Sequence, residues 1–235
     1  MIICHKHKFI FLKTRKTAGT SVEMALSKLC GPGDVVTALN DEEEASRVAE
    51  GGRQGGQNVL KPWRSVVSCK SDLRYVAANM RRPELFYNHI PAHKVRNRLS
   101  RNIWNNYLKI TVERNPWDKA ISSYWWGRKN SVSPRTMEEF LKRRIQTKPR
   151  SLTNWRIYTR KNRVVADHVL FYEDLQGGLS KLGSELGVEI NLPAKHAKGE
   201  ARKDRRPYQE VLSDEAAGII SDLCWREIEA FGYSY

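Results

Sequence analysis

No run of apolar residues in this sequence approaches the length needed to cross a bilayer, and no apolar leader-like stretch stands near its start. The expectation is a soluble, cytoplasmic protein. Cysteine is scarce, with four in 235 residues (Cys4, Cys30, Cys69, Cys224), and none forms a CxxC pair. That pattern excludes a disulfide framework or a zinc ribbon and predicts reduced thiols. The stretch "CHKH", Cys4 to His7, gathers three groups able to bind metal. No matching cluster follows it, so it reads as the solvated start of a strand. Acid is also in short supply: 26 Asp and Glu stand against 41 Lys and Arg, a net charge of +15. Such an excess predicts an anionic partner, whether a nucleotide, an acidic polysaccharide, nucleic acid or a membrane surface. Internal repeats and low-complexity tracts are lacking, which removes a repeat architecture.

What is present suits one α/β domain over 1–235, with a variable insertion at about 31–80. The hydrophobic content, 40%, is enough for a proper core. Residues 8–13 predict a short buried strand. From Thr20, Val22, Ala25, Leu26 and Leu29 follow the spacing of an amphipathic helix. The segment 31–75, with "DEEE" and "EGGRQGGQN", reads as a mobile insertion over one face. "YLKITVERNPWDKAISSYWW" repeats the opening pattern: a strand over Tyr107–Val112, a polar turn, then a helix with Pro116 near its start. A further helix is expected from about Ala92. "VVADHVLFYEDL" predicts a third strand running into a helix. The tail from Ser213, a helix N-cap by type, spaces Ile220, Leu223, Cys224, Ile228 and Phe231 along one helical face. Strands alternating with helices predict a central, mostly parallel sheet flanked by helices, a P-loop-like three-layer fold.

The chemistry concentrates in "KFIFLKTRKTAGTSVEMAL", Lys8 to Leu26. In a parallel sheet, ligands sit beyond the carboxyl ends of the strands. A helix starting there offers unpaired backbone N–H groups and the positive end of its dipole. Small residues let an oxyanion approach the backbone, Thr17, Thr20 and Ser21 add hydroxyls, and Arg15 and Lys16 add full charge. The segment is thus shaped to hold a phosphate-like group. It is not a Walker A loop, because Lys16 precedes Gly19 and Thr20 follows the glycine directly.

"RKTAGTS" resembles the 5′-phosphosulfate loop of sulfotransferases that use 3′-phosphoadenosine 5′-phosphosulfate (PAPS), in the form found in the carbohydrate-type and bacterial branch. "RNPWDKAIS", Arg114 to Ser122, resembles that family's 3′-phosphate motif, an arginine at a strand end and a serine eight residues on. "NHIPAHKVRNRL" is similar to the segment carrying the family's acceptor-side histidine, which maps to His89. The resemblance implies PAPS as co-substrate without a metal. It implies that Arg15, Lys16, Thr17, Ala18, Gly19, Thr20 and Ser21 hold the 5′ side and that Arg114 and Ser122 hold the 3′-phosphate. Lys16 would neutralise the leaving oxygen, and His89 would be the general base, with His93 as the fallback. Two departures stand out. Glu113 occupies a position usually apolar in the branch, and is expected to face away or grip Arg114. Thr14-Arg15 replace the usual apolar residue and proline.

Further expectations follow. The basic loop "KHAKGEARKDRRPY", Lys195 to Tyr208, would close over the nucleotide, with Lys203 as a contact. Residues 140–166 hold nine Lys or Arg and no acid, and read as a solvated face or, with Trp155 and Tyr158 interleaved, a polyanion or sugar groove. Trp125 and Trp126 offer rings for stacking on a sugar or for packing in the core. His168, inside an apolar strand, reads as structural. The acceptor implied is a hydroxyl, on a carbohydrate or another polyhydroxylated molecule, and a nucleotide rather than a specific nucleic acid is the expected partner. Two rival readings are a P-loop small-molecule kinase, disfavoured by the missing Walker lysine, and a basic nucleic-acid-binding protein, for which the net charge speaks but no binding motif does.

Overall fold

The computed structural model describes residues 1–130, 136–193, 202 and 204–235. Strand β1 (Ile2–Cys4) turns back into β2 (Phe9–Leu12), pairing antiparallel with Ile2 opposite Phe11 and Cys4 opposite Phe9. "CHKH" therefore closes a hairpin instead of opening a strand. Helix α1 (Gly19–Ser27) follows β2, and β3 (Val35–Val36) then pairs with the other edge of β1. Four helices, α2 (Asp41–Ala49), α3 (Trp63–Val67), α4 (Lys70–Asn79) and α5 (Ala92–Arg98), lead to α6 (Arg101–Asn106) and the central strand β4 (Leu108–Glu113). Beyond it lie α7 (Pro116–Asn130), α8 (Met137–Thr147) and α9 (Trp155–Tyr158). A two-stranded ribbon of β5 (Thr159–Arg160) and β6 (Arg163–Val164) precedes β7 (His168–Phe171), then α10 (Leu175–Leu186). The chain closes with α11 (Tyr208–Val211), α12 (Asp214–Leu223) and α13 (Trp225–Phe231).

The main sheet runs β3-β1-β2-β4-β7. Strands β2, β4 and β7 are parallel neighbours, and β1 is antiparallel to both of its partners. The mostly parallel α/β sheet expected from the alternating pattern is what forms. Alternation along the strands divides the core into two layers. Ile2, Cys4, Phe9 and Phe11 pack with Val22 and Leu26 of α1 and Leu179 and Leu182 of α10. Ile3, Ile10 and Leu12 pack on the other face with Val95 of α5 and Ile157 and Tyr158 of α9. A third cluster, around Trp117, Ile121, Leu141 and Ile220, joins α7, α8 and α12.

Two segments differ from the sequence reading. The stretch 31–75 contributes an edge strand to the sheet, and its Arg47 is fully buried, 3.7 Å from the Glu23 carboxylate. Its glycines and charges conceal structure that the main fold uses. The tail forms two helices, not one: Cys224 leaves the helical conformation between α12 and α13. Ser213 does cap α12, accepting from the Ala216 N–H. No described helix is long and apolar enough to cross a membrane.

Candidate active site

The carboxyl end of β2 opens into the loop Lys13–Ala18. Thr14 Oγ1 donates to the Val112 carbonyl of the adjacent β4 and lies 2.7 Å from Thr17 Oγ1, tying the loop base to the sheet. Lys16 and Ala18 take left-handed backbone conformations (φ 61° and 56°). Left-handed residues set into such a loop turn successive N–H groups toward one concavity, an anion cradle. Gly19 then begins α1. A Cβ there would stand 3.1 Å from both Lys13 Cγ and the Thr14 carbonyl oxygen, so its bare backbone lets the helix start against the strand end. Asn154, far along the chain, clamps the loop: the Arg15 N–H donates to its Oδ1 at 3.0 Å, and its Nδ2 donates to the Arg15 carbonyl at 3.1 Å.

Above this loop lies a cavity of about 1080 Å³. Arg15, Lys16, Ala18, Gly19, Thr20, Ser21, Arg114, Ser122 and His89 all line it. Thr17 does not: its side chain is buried behind the loop, against Thr14. Lys203 lies outside the described residues; its loop neighbours Arg202 and Arg205 reach the lining. Trp126 lines the cavity with the Lys16 ammonium 4.6 Å from its ring centroid. Trp125 instead packs beside the third cluster, edge-on to Tyr124. From the basic stretch 140–166, Arg144 lines the cavity.

Arg114 stands at the end of β4, beside the loop because β2 and β4 are parallel neighbours. Its Nε and Nη2 reach the Asp118 carboxylate at 2.7 and 2.5 Å, and its Nη1 donates to the Lys16 carbonyl at 3.2 Å. The guanidinium carbon lies 3.9 Å from the Tyr172 ring centroid. A planar cation is thereby fixed on both its edge and its face. Asp118 also receives Arg202 at 2.5 Å, so one carboxylate joins two arginines. Glu113 turns into the interior, where Lys119 (3.0 Å) and the Tyr158 hydroxyl (2.8 Å) donate to it. Burial alone would lower the Lys119 ammonium, but Glu113 holds it above its ordinary range. Of the two expectations for Glu113, facing away is the outcome; towards Arg114 it accepts only the backbone N–H.

His89 sits in a left-handed conformation (φ 60°) with Nδ1 3.1 Å from the Lys13 carbonyl. A carbonyl only accepts, so the neutral ring carries its proton on Nδ1 and keeps a lone pair on Nε2. Burial, reinforced by the Arg15 and Lys13 cations, pushes its pKa down to about 3. Beneath it, Lys13 donates to Glu23 at 2.5 Å. Burial would raise the Glu23 carboxyl, yet Lys13 and the other cations around it pull it down to about 2. His93, on α5, does not line the cavity, and His168, at the start of β7, pairs with Glu185 at 3.0 Å.

Sequence reasoning missed Tyr172, Arg202 and Asn154. Tyr172 had a usable signal, since it directly follows the carboxyl end of β7, where ligands gather in this fold. Asn154 had none; its partner Arg15 is 139 residues away.

A profile of the sulfotransferase family matches residues 1–234. A protein of Archaeoglobus fulgidus, named only as uncharacterized, is 30% identical over 112 residues, covering 45% of this chain and 93% of its own. The crystal structure of mouse sulfotransferase SULT7A1 complexed with PAP aligns with 94% of this chain and 84% of that chain, at a TM-score of 0.49 and 15% identity. With a profile that spans nearly every residue, from the hairpin through the anion loop to the last helix, this chain belongs to the sulfotransferase family.

Proposed function

We propose that this protein transfers the sulfuryl group of PAPS to an acceptor hydroxyl, with His89 as general base. One observation carries the reading: two adjacent parallel strands end in cationic groups, Arg15 and Lys16 after β2 and Arg114 after β4, that open into one cavity with a neutral histidine. The anion loop takes the 5′ phosphosulfate on the N–H groups leading into α1 and on Thr20 and Ser21. Arg114 and Ser122 take the 3′-phosphate. The acceptor oxygen attacks sulfur in line, the bond between sulfur and the bridging oxygen breaks, and 3′,5′-ADP departs. Lys16 neutralises the charge growing on that bridging oxygen. The acceptor proton passes to His89 Nε2.

A group with a pKa of about 3 is a weak base; burial is the larger cause, and the donor relieves the part that comes from neighbouring cations. Its phosphate and sulfate charges sit beside Arg15 and Lys13, two of the cations that depress His89. Once they are compensated, the imidazole regains basicity as the reaction is assembled. Trp126, whose indole lines the cavity under the Lys16 ammonium, and Arg144 suit an acceptor that is a carbohydrate or another polyhydroxylated, anionic molecule.

The test is turnover with sulfur-labelled PAPS across glycans, lipids and small alcohols. Label is expected in a hydroxylated product, one 3′,5′-ADP per transfer. His89→Ala is expected to lower kcat by about 10²–10⁴ while 3′,5′-ADP affinity stays within a few-fold. Near-normal kcat in that variant removes His89 as the base. Failure of 3′,5′-ADP to bind removes the donor assignment.

A further inference from the structure

At the other end of α1 from the anion loop, three chain segments bring ligand atoms together. Cys4 ends β1, Cys30 lies just beyond α1, and Asp34 precedes β3. Their two sulfurs and a carboxylate oxygen all lie within 4.8 Å of one another. Among the described residues this is the one such convergence of three or more His, Cys, Asp or Glu groups. The sulfuryl-transfer reading assigns no role to these residues.

We propose that Cys4, Cys30 and Asp34 form a binding site for a thiophilic divalent cation, zinc by its chemistry, which clasps the hairpin, the end of α1 and the approach to β3. Tetrahedral zinc with zinc–sulfur bonds of about 2.3 Å sets its ligands roughly 3.7 Å apart. Donors already within 4.8 Å need to close by only about 1 Å. Two thiolates with one carboxylate favour zinc over magnesium or calcium, which prefer all-oxygen shells. Three protein ligands leave the fourth position to water, and Cys30, partly exposed, gives the ion a route in.

The surroundings are prepared for such an ion. The Asp34 carboxylate is oriented by two backbone donors, His5 N–H on Oδ1 and Gly31 N–H on Oδ2, each at 2.7 Å. Outer hydrogen bonds of this kind fix a ligating carboxylate. An aspartate closing a turn would explain those two bonds alone, but not the two thiols beside it. Each thiol donates only a long contact, 3.6 Å, to a carbonyl, Leu29 for Cys4 and Leu26 for Cys30. Binding would release these thiol protons to solvent and form two metal–sulfur bonds. No change of oxidation state is involved.

The test uses the full chain, reduced and stripped with a chelator, then titrated with cobalt(II) and afterwards with zinc. One equivalent of cobalt is expected, with near-ultraviolet thiolate-to-cobalt absorption that zinc abolishes. Zinc is expected to raise the Tm, while 3′,5′-ADP affinity is unchanged by chelation. Cys30→Ser is expected to weaken cobalt binding at least 100-fold and remove the absorption. Asp34→Asn, which keeps a carbonyl acceptor for the turn, is expected to weaken it about 10-fold or more. The proposal is overturned by absence of the charge-transfer band, by full binding in Cys30→Ser, by binding lost only when His5 and His7 are replaced, or by a Cys4–Cys30 disulfide in the purified chain. Cys30 is half-buried, so its variant remains informative even where a change at the buried Cys4 prevents folding.

Discussion

A half-buried histidine beside two cations has a consequence for stability as well as for its proposed role as base. His89 is neutral in the folded chain down to about pH 3, whereas the ordinary value for an unfolded histidine is 6.5. Between these values the unfolded chain binds the additional proton, so stability rises with pH across that window. The contribution is complete above pH 6.5 and is lost progressively as pH falls toward 3. Its limit is at most about 5 kcal/mol, from 1.36 kcal/mol for each pKa unit. His89→Asn removes this titration. The Tm of the native chain minus that of the variant is therefore expected to fall on acidification from pH 7 to pH 4. A difference that stays flat would mean that His89 is not held neutral by its surroundings. Saturating 3′,5′-ADP adds negative charge beside Arg15 and Lys13 and is expected to flatten the slope.

At the level of elements, the site depends on how α1 is set against β2. Gly19→Ala would place a methyl 3.1 Å from the Thr14 carbonyl, which belongs to backbone and has little freedom to retreat. A loss of about 1–3 kcal/mol is expected from such overpacking, seen as a lower denaturation midpoint, with weaker 3′,5′-ADP binding because the N–H cradle shifts. Unchanged midpoint and affinity would show that the loop adapts. The strand–loop–helix unit was legible because its signals are local: a buried run, a cation cluster and helical spacing within nineteen residues. That Arg114 and Ser122 come together in the cavity wall was legible for the same reason, since they lie on one strand–helix turn. Asn154 was not, because its hold on Arg15 arises only once α9 packs under the sheet. Cys30 and Asp34 escaped for a related reason: "CHKH" has no partner cluster in sequence, but its Cys4 has one in space. Strand β3, two residues long inside a glycine- and acid-rich stretch, carries no periodicity to read. The break at Cys224 was hidden because apolar spacing runs straight through it.

For the whole molecule, the question is where a net charge of +15 is spent. Among the described residues, the cavity wall carries Lys13, Arg15, Lys16, Arg114, Arg144, Arg202 and Arg205, against two carboxylates, Glu43 and Asp118. A concave site with so large an excess of one sign focuses its field on a small anion, whereas a nucleic-acid reader spreads its charge along a face. The two designs separate in a thermal-shift comparison of 3′,5′-ADP, ATP with magnesium, and duplex DNA. At a hundred times its dissociation constant, 3′,5′-ADP is expected to add about 2.7 kcal/mol. For a chain of this size that is roughly a 5–10 °C rise in Tm. ATP with magnesium lacks the 3′-phosphate that Arg114 would hold and is expected to shift it little. DNA is expected to act only at low salt, because its hold on a basic protein comes from counterion release. Arg114→Ala is expected to abolish the 3′,5′-ADP shift and to leave the weak DNA response nearly as it was, since one charge in many is lost. A 3′,5′-ADP shift that survives this substitution would place the 3′-phosphate elsewhere, and a DNA response that persists at 0.5 M salt would return the charge to nucleic-acid binding.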